Sequence, residues 1–202
     1  MSELAHIAAT IFKRAGKTER FIVGIAGPPA SGKSTRAEAL SELFPQGSAV
    51  VVPMDGFHYD DRVLDQIGLR HRKGAPETFD FAGFATLLRR LKSREPNIAI
   101  PLFDRSLEIS RAGAAIVDSQ VKFILVEGNY LLLDEEPWSG LETLFDFTIF
   151  VDVAREELER RLVARWREHG RLDDVARKWI DTNDMPNIDR VLRARRRADL
   201  VI

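Results

Sequence analysis

The 202-residue chain has no cysteine, only two tyrosines, no excess of either charge and no apolar run long enough to cross a bilayer. Without cysteine there is no disulfide, no thiolate zinc site and no thiol nucleophile. Thirty Lys and Arg stand against 31 Asp and Glu, a net charge of -1. No overall field draws such a chain to nucleic acid or to an anionic membrane, and any basic site must be local. Its first residues, Met1-Ser2-Glu3-Leu4-Ala5-His6, lack a basic segment followed by an apolar one. These absences point to a soluble cytoplasmic protein with neither a nucleic-acid partner nor a membrane insertion. The length suits a single domain over residues 1–202, with room for a small inserted lid.

What is present is concentrated in one stretch, Gly27-Pro28-Pro29-Ala30-Ser31-Gly32-Lys33-Ser34-Thr35, which fits G-x-x-x-x-G-K-[ST] without a mismatch. The apolar run 21–26 before it reads as a buried strand, and the residues after Lys33 read as a helix. Glycines at 27 and 32 let the backbone turn tightly and bring successive N–H groups against a polyanion. The helix N-terminus adds unpaired N–H groups at the same spot, and the Lys33 ammonium reaches the outer phosphates. The Ser34 hydroxyl is placed to ligate Mg2+. The pattern therefore predicts a nucleotide site built from Gly27, Pro28, Ala30, Ser31, Gly32, Lys33, Ser34 and Thr35.

Leu4, Ile7, Ala8, Ile11 and Phe12 recur with helical spacing and predict a first amphipathic helix ending near Gly16. Ala37, Leu40, Leu43 and Phe44 give the helix after the loop its core face, and Pro45 with Gly47 stops it. Further short apolar strands are expected at 49–52, 123–126, 147–151 and 200–202. Helices are expected at 81–91 and 157–169, and a β-ribbon or extended loop off the main sheet at 98–117. Continuous apolar strands separated by helices predict an α/β protein, with a parallel sheet covered on both faces.

In such a sheet the ligand sits beyond the carboxyl ends of the strands. Asp55, Glu127 and Asp152 fall there. Asp55 and Glu127 suit the two carboxylate tasks of a phosphoryl transfer, taking a hydroxyl proton and holding the Mg2+ shell, whereas Asp152 reads as a cap for the next helix. Arginines cluster at 160–171 and 193–197. An arm carrying arginine can close over a nucleotide, with Gly170 as its hinge and Arg161, Arg165 and Arg171 as the candidates, while several neighbours only pair with glutamates along the helix. The 193–197 group reads as a solvated face. His58, alone of four histidines, borders the active edge, as a substrate contact or a loop histidine. The basic loop Arg70-His71-Arg72-Lys73-Gly74 could meet an anionic or polyhydroxy substrate.

Several of these strings resemble the small-molecule kinases grouped with uridine kinase, phosphoribulokinase and bacterial pantothenate kinase, over residues from about 21 to 202. Met54-Asp55-Gly56-Phe57 and Arg72-Lys73-Gly74-Ala75-Pro76-Glu77-Thr78-Phe79-Asp80 are similar to the pantothenate kinase strings M-D-G-F and R-K-G-x-P-E-S-Y-D. The resemblance implies a three-layer P-loop fold with a helical lid at about 160–180 and a substrate-side insertion at about 55–118. It implies Asp55 as base, Arg72, Lys73 and Asp80 on the substrate side, and Glu127-Gly128 as the E-G pair at magnesium. Arg160-Arg161 with Glu168, Gly170 and Arg171 is similar to the uridine kinase lid, with His169 standing where that lid carries Arg. Pro101-Leu102-Phe103-Asp104-Arg105 occupies the place of the substrate segment P-x-Y-D or P-x-Y-S-H, which puts Phe103, Asp104 and Arg105 with substrate. The histidines of both patterns are absent, which disfavours uridine and pantothenate. Strings 127–133, containing Asn129, and 183–187 are similar to a bacterial subgroup called putative fructose transport system kinase, so a sugar such as fructose is the implied acceptor and ATP with Mg2+ the implied donor. A homodimer is compatible with the sequence. A nucleotide-dependent switch is the rival from another class, but no N-K-x-D string is present; a transporter nucleotide-binding subunit would need L-S-G-G-Q, also missing.

Overall fold

The chain runs α1 (Glu3–Ala15), β1 (Phe21–Ala26), α2 (Lys33–Ser41), β2 (Ala49–Pro53), α3 (Asp61–Gln66), α4 (Phe81–Lys92), β3 (Ile98–Asp104), β4 (Ile109–Val117), β5 (Phe123–Gly128), β6 (Phe147–Phe150), α5 (Arg155–Glu168), α6 (Asp174–Trp179), α7 (Met185–Arg193) and β7 (Leu200–Val201). These elements come from a computed structural model that describes residues 2–168 and 174–202. Five strands in the order β2-β5-β1-β6-β7 make one sheet whose pairs are all parallel.

Alternation along the strands divides the core in two. Phe21, Val23 and Ile25 of β1, with Phe123 and Leu125 of β5, pack under α1 and α2. Ile22 and Ala26, with Ile124 and Val126, face the opposite way into a second core containing Phe84, Leu88 and Leu91 of α4 and the buried rings of Tyr130 and Trp138. Both faces of the central strands are thus apolar, which is why they read as continuous hydrophobic runs. A third cluster, Leu158, Leu162, Ile180, Met185 and Ile188, joins α5 to α7, and Ala30 of the glycine loop packs against it.

The ribbon expected at 98–117 is the antiparallel pair β3–β4, outside the main sheet. One core assignment is corrected. Leu43 is 44% exposed because α2 ends at Ser41 and the chain closes with tighter bonds from Leu43 N to Leu40 O and from Phe44 N to Ser41 O. That shift rotates Leu43 outward and leaves Phe44 buried, its ring 4.4 Å from that of Phe123. Trp166, which follows Leu158 and Leu162 at four-residue steps on α5, is only half-buried, whereas those two leucines are fully enclosed.

Candidate active site

The loop between β1 and α2 is held open by backbone conformation. Gly32 has φ +84°, and Ala30, at φ +64°, takes the left-handed region without being glycine. A Cβ at Gly27 would lie 2.7 Å from Ser31 Oγ and 3.1 Å from the Val151 carbonyl, so only glycine fits there. Ser31 is 2% exposed and its Oγ has no hydrogen-bond partner among the described residues. Helix α2 starts at Lys33 with no side-chain cap, which leaves its first N–H groups directed at the loop. Arg161 already reaches this loop from α5: its Nη1 donates to the carbonyls of Ala30 and Ser31, both at 3.3 Å. Glu157 aims it by accepting from Nε at 2.7 Å, and hydrogen bonds from Arg160 and Arg161 hold the Glu157 carboxyl down at about 2.

The two carboxylates meet beside this loop because their strands are adjacent. Glu127 stands between Ile25 of β1 and Pro53 of β2 in register, and Asp55 follows Pro53 in the short turn Met54–Phe57. Two glycines permit the approach. A Cβ on Gly128 would be 2.6 Å from Met54 Cβ, and one on Gly56 would be 2.3 Å from the Pro101 carbonyl oxygen of the ribbon. Burial acts to raise the Asp55 pKa, but His58, Arg105, Lys33 and Arg165 together outweigh it and hold the group below its ordinary value. Burial raises the Glu127 pKa; Lys33, the Ser34 hydroxyl and Arg105 pull it back and Asp55 pushes it further up. One group is therefore kept ionised and the other is poised to gain from a cation.

Across from the loop lies a wall of aromatic and charged side chains. His58 Nδ1 donates to the Asp55 carbonyl at 2.8 Å, and its ring lies 4.1 Å from Phe79 and 4.7 Å from Phe103. Burial lowers its pKa, and Arg105 and Lys73 add to the fall against the opposing pull of Asp55. Arg105, at the ribbon tip, forms an ion pair with Asp55. Asn129 Oδ1 is buried without a hydrogen-bond partner among the described residues.

Other expected contacts carry structural duties. Asp80 caps α4, its Oδ1 accepting from Gly83 N at 2.9 Å. Lys73 Nζ ties the ribbon to α3 through Asp61 Oδ1 at 2.7 Å and the Glu108 carbonyl at 3.0 Å. Asp104 Oδ1 accepts from Ser106 and Leu107 and so fixes the ribbon turn. Arg72 donates to Asn183 Oδ1 at 3.3 Å and Asn187 Oδ1 at 3.4 Å. Arg171, Gly170 and His169 lie outside the described residues.

Two features went unassigned in the sequence. Asn183 and Asn187 are 1% and 2% exposed, and with Arg72 and the Lys73 carbonyl they link the basic loop to the foot of α7. Two amides four residues apart on one helical face were the available signal. Arg196, read as part of a solvated face, donates to the carbonyls of Ser139 at 2.7 Å and Leu131 at 3.2 Å, and so fastens the C-terminal segment to the core.

A glycine loop at the end of the central strand, uncapped helix N–H groups, a lysine, two strand-end carboxylates and arginines reaching in from α5 define a P-loop kinase. The chain belongs to the Phosphoribulokinase / Uridine kinase family, whose model matches residues 22–202. It is 36% identical to YggC of Escherichia coli (strain K12), a protein described as uncharacterized, over 98% of this chain and 84% of that one. It is 30% identical to the pantothenate kinase of Enterococcus faecalis, covering 90% of this chain and 68% of the relative. A crystal structure described as a "putative fructose transport system kinase" from Silicibacter sp. TM1040 superposes with a TM-score of 0.94 at 42% identity, over 100% of both chains. The protein is thus an ATP-dependent small-molecule kinase. Among the described residues no helix is long and apolar enough to cross a membrane.

Proposed function

We propose that the chain moves the γ-phosphoryl group of Mg-ATP to a hydroxyl of a small metabolite, with a sugar such as fructose as the first candidate and Asp55 as the proton acceptor. The observation that carries this reading is the convergence on Asp55, a carboxyl held ionised by Lys33, Arg105 and Arg165 beside the glycine loop. The acceptor oxygen bonds to the γ-phosphorus as the bond to the β-bridging oxygen breaks. Its proton passes to Asp55, and ADP is left on the loop. Lys33 and Arg161, both at the glycine loop, would balance the charge that spreads over the transferring group, and the apolar packing of α5 against α7 would give a lid a firm base.

The donor set suits magnesium. Among the described residues no three His, Asp or Glu side chains gather as a cage. Ser34 and Glu127 offer two oxygens, which fits an ion that keeps water and phosphate oxygens for its remaining positions. Bound there, it would neutralise charge on the β- and γ-phosphates.

The test is ADP formation across sugars, sugar phosphates, nucleosides, pantothenate and glycerate, with Asp55→Asn beside the wild type. An acceptor should stimulate the wild type, and the variant should lose a factor on the order of a hundred to ten thousand in kcat with ATP affinity kept. Undiminished kcat in Asp55→Asn would remove Asp55 from the role.

A further inference from the structure

The ion pair between Arg105 and Asp55 engages Oδ2 of the base, so the guanidinium competes with an incoming hydroxyl for that carboxylate. Its two ends differ: the Arg105 side chain is 66% exposed and that of Asp55 only 20%, so the arginine is the member that can leave. The ribbon that carries it is fixed. Asp104 Oδ1 accepts from Ser106 N, Ser106 Oγ and Leu107 N, and Lys73 holds the Glu108 carbonyl. Arg105 therefore moves by rotating its own side chain about the Phe103 ring, whose centroid lies 5.2 Å from Cζ.

Where the guanidinium goes next is limited by its neighbours. The other ribbon carboxylates are engaged, Asp104 Oδ2 with Arg111 at 3.4 Å and Glu108 Oε2 with Lys73 at 3.6 Å. Asp61 is shared between Lys73 and Arg70, and Glu77 between Arg72 and Arg190. A displaced Arg105 thus finds the carboxylates of the ribbon, of α3 and of Glu77 all engaged, and Glu127, whose charge it also feels, is the one assigned to magnesium. A ligand that brings its own anion supplies the missing partner, and a fork-shaped guanidinium suits a carboxylate or a phosphate.

We propose that Arg105 is a specificity-determining residue: the acceptor is a hydroxyl compound that also bears a carboxylate or phosphate, which takes Arg105 from Asp55 and so frees the base for the reacting hydroxyl. This narrows the kinase reading above, moving the first candidate from fructose itself to an anionic hydroxyl compound, and rests on Asp55 as the base. A neutral polyol has to break the ion pair without replacing it, and water meets the same obstacle. Sugar phosphates and hydroxy acids share the required chemistry, and the nucleotide phosphates are the other anion in reach.

The experiment uses matched pairs, fructose against fructose 6-phosphate and glycerol against D-glycerate, with wild type, Arg105→Gln and Arg105→Lys, and ATP affinity measured in parallel. The wild type should favour the anionic member of at least one pair by about ten- to a hundredfold in kcat/KM. Arg105→Gln should erase that preference mainly through KM and Arg105→Lys should restore part of it, with ATP affinity unchanged in both. Whichever pair responds tells a phosphate from a carboxylate. A preference for the neutral compounds, or anionic kinetics untouched by Arg105→Gln, overturns the inference and leaves the kinase reading standing. A fall in ATP affinity in Arg105→Gln also overturns it, by assigning the guanidinium to the nucleotide. If no compound of either kind stimulates ADP formation, both fall together.

Discussion

Replacing Asp184 with asparagine should stabilise the protein at neutral pH and do nothing for it in acid. Asp184 ends the π turn Ile180–Asp184 between α6 and α7, and its Oδ2 is buried without a hydrogen-bond partner among the described residues. Burial raises the carboxyl from 3.8 to about 6, against the opposing pull of Arg165 and of the Trp166 indole N–H. Between those two values the folded chain binds a proton that the unfolded chain has released, so stability falls as pH rises through this window. Above it the ionised, poorly solvated carboxylate costs about 3 kcal/mol; below it both states are protonated and the cost is gone. Asp184→Asn removes the term, less whatever the turn loses in fitting an amide. Urea unfolding should show the variant about 1–3 kcal/mol more stable near pH 7.5, and thermal unfolding a midpoint roughly 2–12 °C higher for a chain of this size, with the gap closing near pH 4. An equal gap at both pH values, or a variant less stable at neutral pH, would show that the buried carboxylate carries no such cost.

Gly27→Ala should abolish detectable ATP binding, since its Cβ would meet Ser31 Oγ at 2.7 Å and the Val151 backbone oxygen at 3.1 Å; nucleotide titration at unchanged circular dichroism checks it. Leu162→Ala, in the fully enclosed cluster between α5 and α7, should cost about 2–5 kcal/mol of the stability of that layer by leaving a cavity. Amide exchange should localise the loss to α5 and α7, and equal loosening of the main sheet would argue against a separate layer.

The parts of this molecule that were legible in the sequence are those set by local pattern. The glycine loop is a short-range device, and its residue types follow from the backbone angles and the close approach they must allow. The central strands announce themselves because both faces are buried, and the ribbon because two extended apolar runs flank a polar turn. What was not legible depends on partners distant in sequence. Leu43 has helical spacing, but helix α2 ends two residues earlier, a matter settled by how the turn closes on Phe44. Asp80 and Lys73 stand in strings that resemble a substrate site, and the cap that one gives α4 and the anchor that the other gives the ribbon are further tasks, set by where α3, α4 and the ribbon meet. The pairing of Arg105 with Asp55 joins residues 50 apart, and no spacing rule foretells it. The Arg72–Asn183–Asn187 contacts span more than a hundred positions and arise only when α7 folds over the basic loop.

Every role proposed for this site requires that phosphorus leave ATP for an organic hydroxyl. Phosphorus NMR of the purified protein with Mg-ATP and the acceptor panel follows that atom directly. The expected result is a new phosphate monoester resonance growing in step with ADP, absent when Asp55→Asn replaces the wild type. A resonance of inorganic phosphate alone, with every acceptor left unmodified, would contradict the account.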